Sequence, residues 1–218
     1  MRIESIQVGQ PKQIAPDWIT AIYKTSVSDP VFLSKFNLAG DKQADLNVHG
    51  GLDKAVNVYP IEHYHYWNQR AGILFQKRLN LPTPFNGAFG ENFTVSGMSE
   101  DTVCIGDIFK IGNSIVQVSQ PRQPCWKLAR KLDKAKLPHW MQQNGKTGWY
   151  FRVLQEGEIE AGLGIERIDR VCEKWTLTRA NQLMHSPKKS LSEIEDIILC
   201  SALSESWQKT FRSYLKGF

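Results

Sequence analysis

The stretch IGDIFKIGNSIVQVSQPRQPCWKLARKL, residues 105–132, places two strand-like runs before a pair of prolines and a helical run after them. Asp107–Ile111 and Ser114–Ser119 are rich in β-branched and aromatic residues, and polar residues interrupt them as in half-buried strands. Gly112 and Asn113 between them suit a tight hairpin turn, because both tolerate positive φ. Pro121 and Pro124 then bracket Arg122 and Gln123, and a helical pattern runs from about Cys125 to Lys131. Pro124 suits the first turn of a helix, where its missing N–H costs no hydrogen bond. Cys125 is therefore expected in that turn, where unpaired N–H groups and the helix dipole favour a thiolate. Arg122 adds a fixed positive charge nearby. The bland alternative is a small buried hydrophobe.

Outward from this stretch, the first 170 residues read as short strands separated by Gly, Pro, Asn and Asp. The further candidates are Ile3–Val8, Ala21–Thr25, Ala55–Tyr59, Glu91–Val95, Gly148–Leu154 and Gly164–Ile168. Helical patterns fall at Ile61–Ala71 and Lys136–Asn144. Many short strands with few long helices point to a mainly β (α+β) fold built on a curled sheet or barrel, not a doubly wound one. From about residue 171 the texture changes to LTRANQLMHS, SLSEIEDIILCSAL and SESWQKTFRSYLKG. Ser190 and Glu193 form a capping box. Leu191, Ile194, Ile197 and Ile198 share one face, as do Trp207, Phe211 and Leu215. Such short helices do not stand alone, so residues 171–218 are expected to pack as a three-helix unit beside a β domain of residues 1–170.

Charge and cysteines narrow the function classes. The net charge of +5 is spread out: residues 173–218 carry seven Lys/Arg and five Asp/Glu, with no dense basic stripe. A nucleic-acid partner is therefore not expected. No run of 18 apolar residues is present, so no membrane helix is expected. The N-terminal MRIESIQVGQ lacks the apolar segment of a secretory signal, which predicts a cytoplasmic protein. Cys104, Cys125, Cys172 and Cys200 are far apart, which argues against a zinc site, an iron–sulfur cluster or a C-x-x-C redox pair. All four are expected as reduced thiols.

Two further loops carry candidate chemistry. In DLNVHGGLDKAVNVYP, residues 45–60, Gly50 and Gly51 permit close backbone approach to an anion. Lys54 there could meet a phosphate, and His49 could supply a hydrogen bond or a proton. GAFGENFTV, residues 87–95, is a glycine-bounded turn entering a strand, with Asn92 available as a polar contact. Each loop alone reads as an ordinary turn. His63 and His65, two apart on a helix, point to different faces and are expected at the surface.

Taken in order, HGGLDKAVNVYP, GAFGENFTV and IGDIFKIGNSIVQVSQPRQPC resemble the MOSC domain, the module shared with the C-terminal part of molybdenum cofactor sulfurase. The match spans roughly residues 30–168, and the trailing helices resemble the unit that follows the MOSC domain in YiiM-like proteins. The resemblance implies a molybdenum cofactor, the metal being carried on a molybdopterin, with Cys125 as metal ligand and catalytic residue. A soft thiolate suits such a metal. Arg122 would fork onto a phosphate or an oxo-metal group. His49, Gly50, Gly51, Lys54, Asn92 and Gln123 would line the cofactor cleft. The implied activity is reduction of N-hydroxylated compounds, such as 6-N-hydroxylaminopurines and amidoxime-like molecules. Without a C-x₄-C-x₂-C run, electrons would come from a separate reductase. A carrier of the cofactor, or of sulfur on Cys125, is the alternative; a helix-turn-helix in the last three helices is a weaker one. A homodimer is left open.

Overall fold

The structure, a computed structural model, describes residues 1–74 and 87–216. Its strands are β1 (Arg2–Val8), β2 (Lys12–Ala15), β3 (Trp18–Thr20), β4 (Thr25–Val27), β5 (Val31–Leu33), β6 (Val56–Pro60), β7 (Phe93–Ser96), β8 (Asp107–Ile111), β9 (Ser114–Pro121), β10 (Trp149–Gln155), β11 (Gly157–Ile159) and β12 (Ile165–Arg170). The helices are α1 (Leu46–His49), α2 (Ile61–Leu74), α3 (Trp126–Lys131), α4 (Leu137–Asn144), α5 (Leu177–His185), α6 (Leu191–Ile198) and α7 (Glu205–Leu215).

Eight strands form one curled sheet in the order β12-β8-β9-β10-β6-β7-β1-β4. The curl comes close to closing. Ile3 N donates to the Leu163 carbonyl at 3.0 Å and Ile165 N to that of Met1 at 2.9 Å, so the chain entering β12 meets the start of β1. The result is a half-barrel followed by small C-terminal helices, the mainly β architecture expected from the sequence. β8 and β9 pair as a hairpin through Ile111 and Ser114, as the Gly-Asn turn predicts. β6 and β7 pair in parallel. A parallel pair needs a long crossover, and α2, which packs on both strands, lies on that connection.

The sheet's inner face supplies the core. Ile3, Val58, Phe93, Phe109, Val118 and Phe151 are all fully or almost fully buried there. Ile194, Ile197, Trp207 and Phe211 of α6 and α7 belong to the same apolar cluster. The C-terminal helices thus complete the barrel's core. Each is capped at its start: the side chains of Thr176, Ser190 and Ser204 accept from the N–H groups of Arg179, Glu193 and Trp207. A second cluster joins Tyr59, Trp67 and Phe89 to Leu128, Leu137 and Met141, seating α2, α3 and α4 on the outside.

Four expectations are corrected. Ala21–Lys24 is not a strand; regular structure stops at Thr20 and resumes at Thr25. His63 is buried, not at the surface, because its ring bonds the Glu100 carboxylate at 2.7 Å, whereas His65 is exposed. Cys125 sits one residue before its helix: it is the N-cap in extended conformation, and its carbonyl accepts the first helical bond from Leu128 N at 3.1 Å. Finally, Cys172 and Cys200 are joined in a disulfide rather than reduced. Spacing hid that bond, since α5 and α6 fold back between two cysteines 28 residues apart and bring their Cα atoms to 6.0 Å. Cys104 is a buried free thiol, raised in pKa first by that burial and then by Asp107. Among the described residues no helix is long and apolar enough to cross a membrane.

Candidate functional site

Arg122 follows the last residue of β9, where its backbone N donates to the Gly148 carbonyl at 2.9 Å. That anchor directs a guanidinium that is 5% exposed into a cleft beside Cys125. Nη2 donates to the Phe89 carbonyl at 2.7 Å. Nη1 has no hydrogen-bond partner among the described residues. A buried cation with one prong unmet is costly unless an anion completes it.

The loop that grips Arg122 is built by Glu91. The Glu91 carboxylate is buried and accepts from Phe89 N at 3.1 Å, from the Thr94 hydroxyl at 2.9 Å and from the Tyr64 hydroxyl. The chain is thereby folded back so that the Phe89 carbonyl meets Arg122. Gly90 makes the turn at φ +77, and a Cβ there would lie 2.6 Å from Ile22 Cγ1. Asn92 also lines the cleft, but both ends of its amide are engaged: Oδ1 accepts from Asn57 N at 3.1 Å, and Nδ2 donates to Asp41 Oδ2 at 2.9 Å. It pins the wall. Asn57 beside it keeps a buried Oδ1 without a partner among the described residues.

Of the residues expected from the sequence, the structure brings His49, Lys54, Asn92, Arg122, Gln123 and Cys125 to one cleft. Gly50 and Gly51 do not line it. They carry the chain from α1 into the 3-10 turn Leu52–Lys54, with Gly51 at φ +94, and so set the spacing of His49 and Lys54. The sequence reading missed Lys24, Asp41, Lys42, Asn57, Lys127 and Tyr150, which also line the cleft. Lys127, two residues after Cys125, was within reach of inspection. Lys24 and Asp41 carried no local signal, because they arrive from irregular segments far away in the chain.

The cleft is electropositive: five Lys/Arg side chains and one Asp line it. Burial pushes the His49 pKa down to about 4, aided by Arg122, Lys127 and Lys54, so the ring is neutral at pH 7. Burial also lowers Lys24, which Asp41 opposes by pairing with it, and lowers Lys54. Cys125, half-buried, is the one thiol in the lining. Its side chain makes no capping bond to α3.

The model of the MOSC domain family matches residues 45–166, the segment that supplies His49, Lys54, Asn92, Arg122 and Cys125. The chain belongs to the MOSC family. In this MOSC protein residues 175–218 match a second family, the YiiM-like 3-alpha helix domain. It is 43% identical over 210 residues to the uncharacterized protein YflK of Bacillus subtilis, covering 95% of this chain and 91% of that one. The crystal structure of YiiM from Geobacillus stearothermophilus superposes with a TM-score of 0.80 at 39% identity, covering 97% of each chain. A Gibberella moniliformis protein named "Reductase" is 34% identical over 177 residues, which are 79% of this chain and 30% of that longer protein.

Proposed function

We propose that the cleft binds the molybdenum cofactor and that the protein uses it to reduce N-hydroxylated compounds. The observation that carries this reading is the unmet Nη1 of buried Arg122 in the same cleft as the half-buried thiol of Cys125. An anionic group on Arg122 and a soft metal on the Cys125 sulfur are the partners those two side chains lack. The unpaired Asn57 Oδ1 would accept from an N–H of the pterin ring system. Membership of a family associated with this cofactor, and the name of the fungal relative, support the same reading.

When bound, the cofactor supplies two-electron chemistry at the metal. The overall reaction, R–NHOH + 2 e⁻ + 2 H⁺ → R–NH₂ + H₂O, breaks the N–O bond and leaves its oxygen as water. Lys54 and Lys127 would neutralise the anionic cofactor, and Arg122 would orient it through Nη1, the guanidinium prong that its bond to the Phe89 carbonyl leaves unmet. His49, neutral at pH 7, donates or accepts a hydrogen bond without adding charge. Electrons come from a separate reductase.

The test is expression in a molybdenum-replete, cofactor-competent host, followed by metal analysis and assay of N-hydroxylaminopurine reduction with an artificial electron donor. Bound molybdenum with turnover supports the reading. Bound molybdenum without turnover would favour a carrier.

A further inference from the structure

The residue before Lys54 connects the cleft to the C-terminal helices. The Asp53 carboxylate bonds Arg152 Nη2 at 2.7 Å through Oδ1. Through Oδ2 it accepts the N–H of Glu205, the first residue of α7, at 3.0 Å. That N–H is one of the four a helix start leaves unpaired, and the helix dipole favours an anion there. The Asp53 carbonyl accepts from the Ser119 hydroxyl, while the Ser119 carbonyl accepts from Ser204 N at 2.9 Å. The Ser206 hydroxyl donates to Gln120 Oε1 at 3.0 Å. The start of α7 therefore grips both the HGGLDK loop and the end of β9 that leads into Arg122.

The segment feeding α7 is itself fastened. Cys200, 6% exposed, is bonded to the more accessible Cys172, just past the end of β12. It lies four residues before the Ser204 cap. The fit around it is close: a Cβ on Gly106 would lie 2.8 Å from Ala202 Cβ and 3.0 Å from Val171 Cβ.

We propose that Asp53 is a positioning residue that transmits the seating of the three-helix unit to the anion-binding loop, and that the Cys172–Cys200 disulfide makes this seating redox-sensitive. With the disulfide closed, residues 200–205 hold the start of α7 against Asp53 and thereby hold Lys54 and His49 at the cleft. A dithiol reductant opens it: the disulfide takes two electrons and two protons to give two cysteine thiols, and the reductant leaves as its own disulfide. Residues 200–205 then gain freedom, the Asp53–Glu205 contact loosens, and the cleft loses affinity for anions. This inference rests on the reading of the cleft as an anion site.

Titration calorimetry of the full-length protein with inorganic pyrophosphate, before and after dithiothreitol, tests it. The expected result is a Kd roughly 5- to 10-fold weaker on reduction, within the usual range of coupling between sites. In Asp53→Asn, which keeps the side-chain shape, both redox forms should bind weakly with Kd values within twofold of each other. A structural disulfide alone would shift the melting temperature but not the affinity, and the Asp53→Asn result would not follow. The proposal is overturned if the air-oxidised protein titrates four free thiols, if reduction changes the wild-type Kd less than twofold, or if the redox difference persists in Asp53→Asn. Absence of pyrophosphate binding in both forms overturns it together with the anion-site reading, a pattern distinct from the other failures.

Discussion

Arg122 Nη2 donates to the Phe89 carbonyl at 2.7 Å, across 33 residues of chain, and this contact locks the loop of residues 87–92 to the strand that leads to Cys125. The two most specific sequence motifs thus form one object. The carboxylate of Glu91 shapes the loop, the loop's carbonyl steers the guanidinium, and the other guanidinium prong is left for a ligand.

Replacing Arg122 separates its two roles. Arg122→Met should weaken binding of an anion such as pyrophosphate by about 10- to 100-fold, since a hydrogen bond to a charged group contributes roughly 1.5–3 kcal/mol. It should also lower the melting temperature, because the Phe89 carbonyl loses its donor. Arg122→Lys keeps the charge without the fork and should fall between wild type and Arg122→Met in affinity. Calorimetry and thermal melts on the same preparations check both effects.

Cys125→Ser should leave the fold intact or slightly more stable. Cys125 is an N-cap whose side chain makes no bond to α3, and serine is a preferred cap residue, so a gain of up to ~1 kcal/mol is expected. Bound molybdenum and turnover should nevertheless be lost, because a hydroxyl is a hard, poorly ionised ligand. The same change at buried Cys104 should leave turnover intact, with any loss traceable to stability. Denaturant curves alongside metal analysis separate the two cases.

Acid sensitivity should trace in part to His49. In the unfolded chain its ring takes a proton near the ordinary value of 6.5, whereas burial and the neighbouring cations hold the folded value at about 4. The unfolded state then binds more protons between those values, so stability falls as pH drops through that window and levels off below it. His185, also lowered by burial, acts in the same direction. His49→Gln should therefore lose less melting temperature than wild type between pH 7 and 5, without abolishing the slope.

The C-terminal helices should prove inseparable from the barrel. Phe211 is fully buried in the barrel's own apolar cluster, so Phe211→Ala should cost ~3–5 kcal/mol. Deleting residues 173–218 should yield insoluble protein, since it strips the cover from that core. Urea unfolding of the point variant and the soluble fraction of the truncation check these expectations.

What was legible in the sequence was local. The β8–β9 hairpin followed from a Gly-Asn turn between β-rich runs, and the start of α6 from Ser190 and Glu193. Long-range partners carried no such pattern. The parallel pairing of β6 with β7 depends on a crossover, and the burial of His63 depends on Glu100, 37 residues away. Lys24 and Asp41 reach the cleft from irregular chain. The Cys172–Cys200 bond depends on two helices folding back between them. Within the site, the motifs indicated which residues meet, but not that Asn92 would pin a wall or that Gly50 and Gly51 would serve as spacers.

The most direct test of the cofactor reading is the ratio of molybdenum to protein in wild type and Cys125→Ser, purified from the same cofactor-competent host, with pterin fluorescence measured after oxidation. Near-stoichiometric metal and pterin in wild type, with the metal lost in Cys125→Ser, is the predicted result. Folded wild-type protein that repeatedly carries neither metal nor pterin, or a Cys125→Ser protein that retains full metal and turnover, would contradict it.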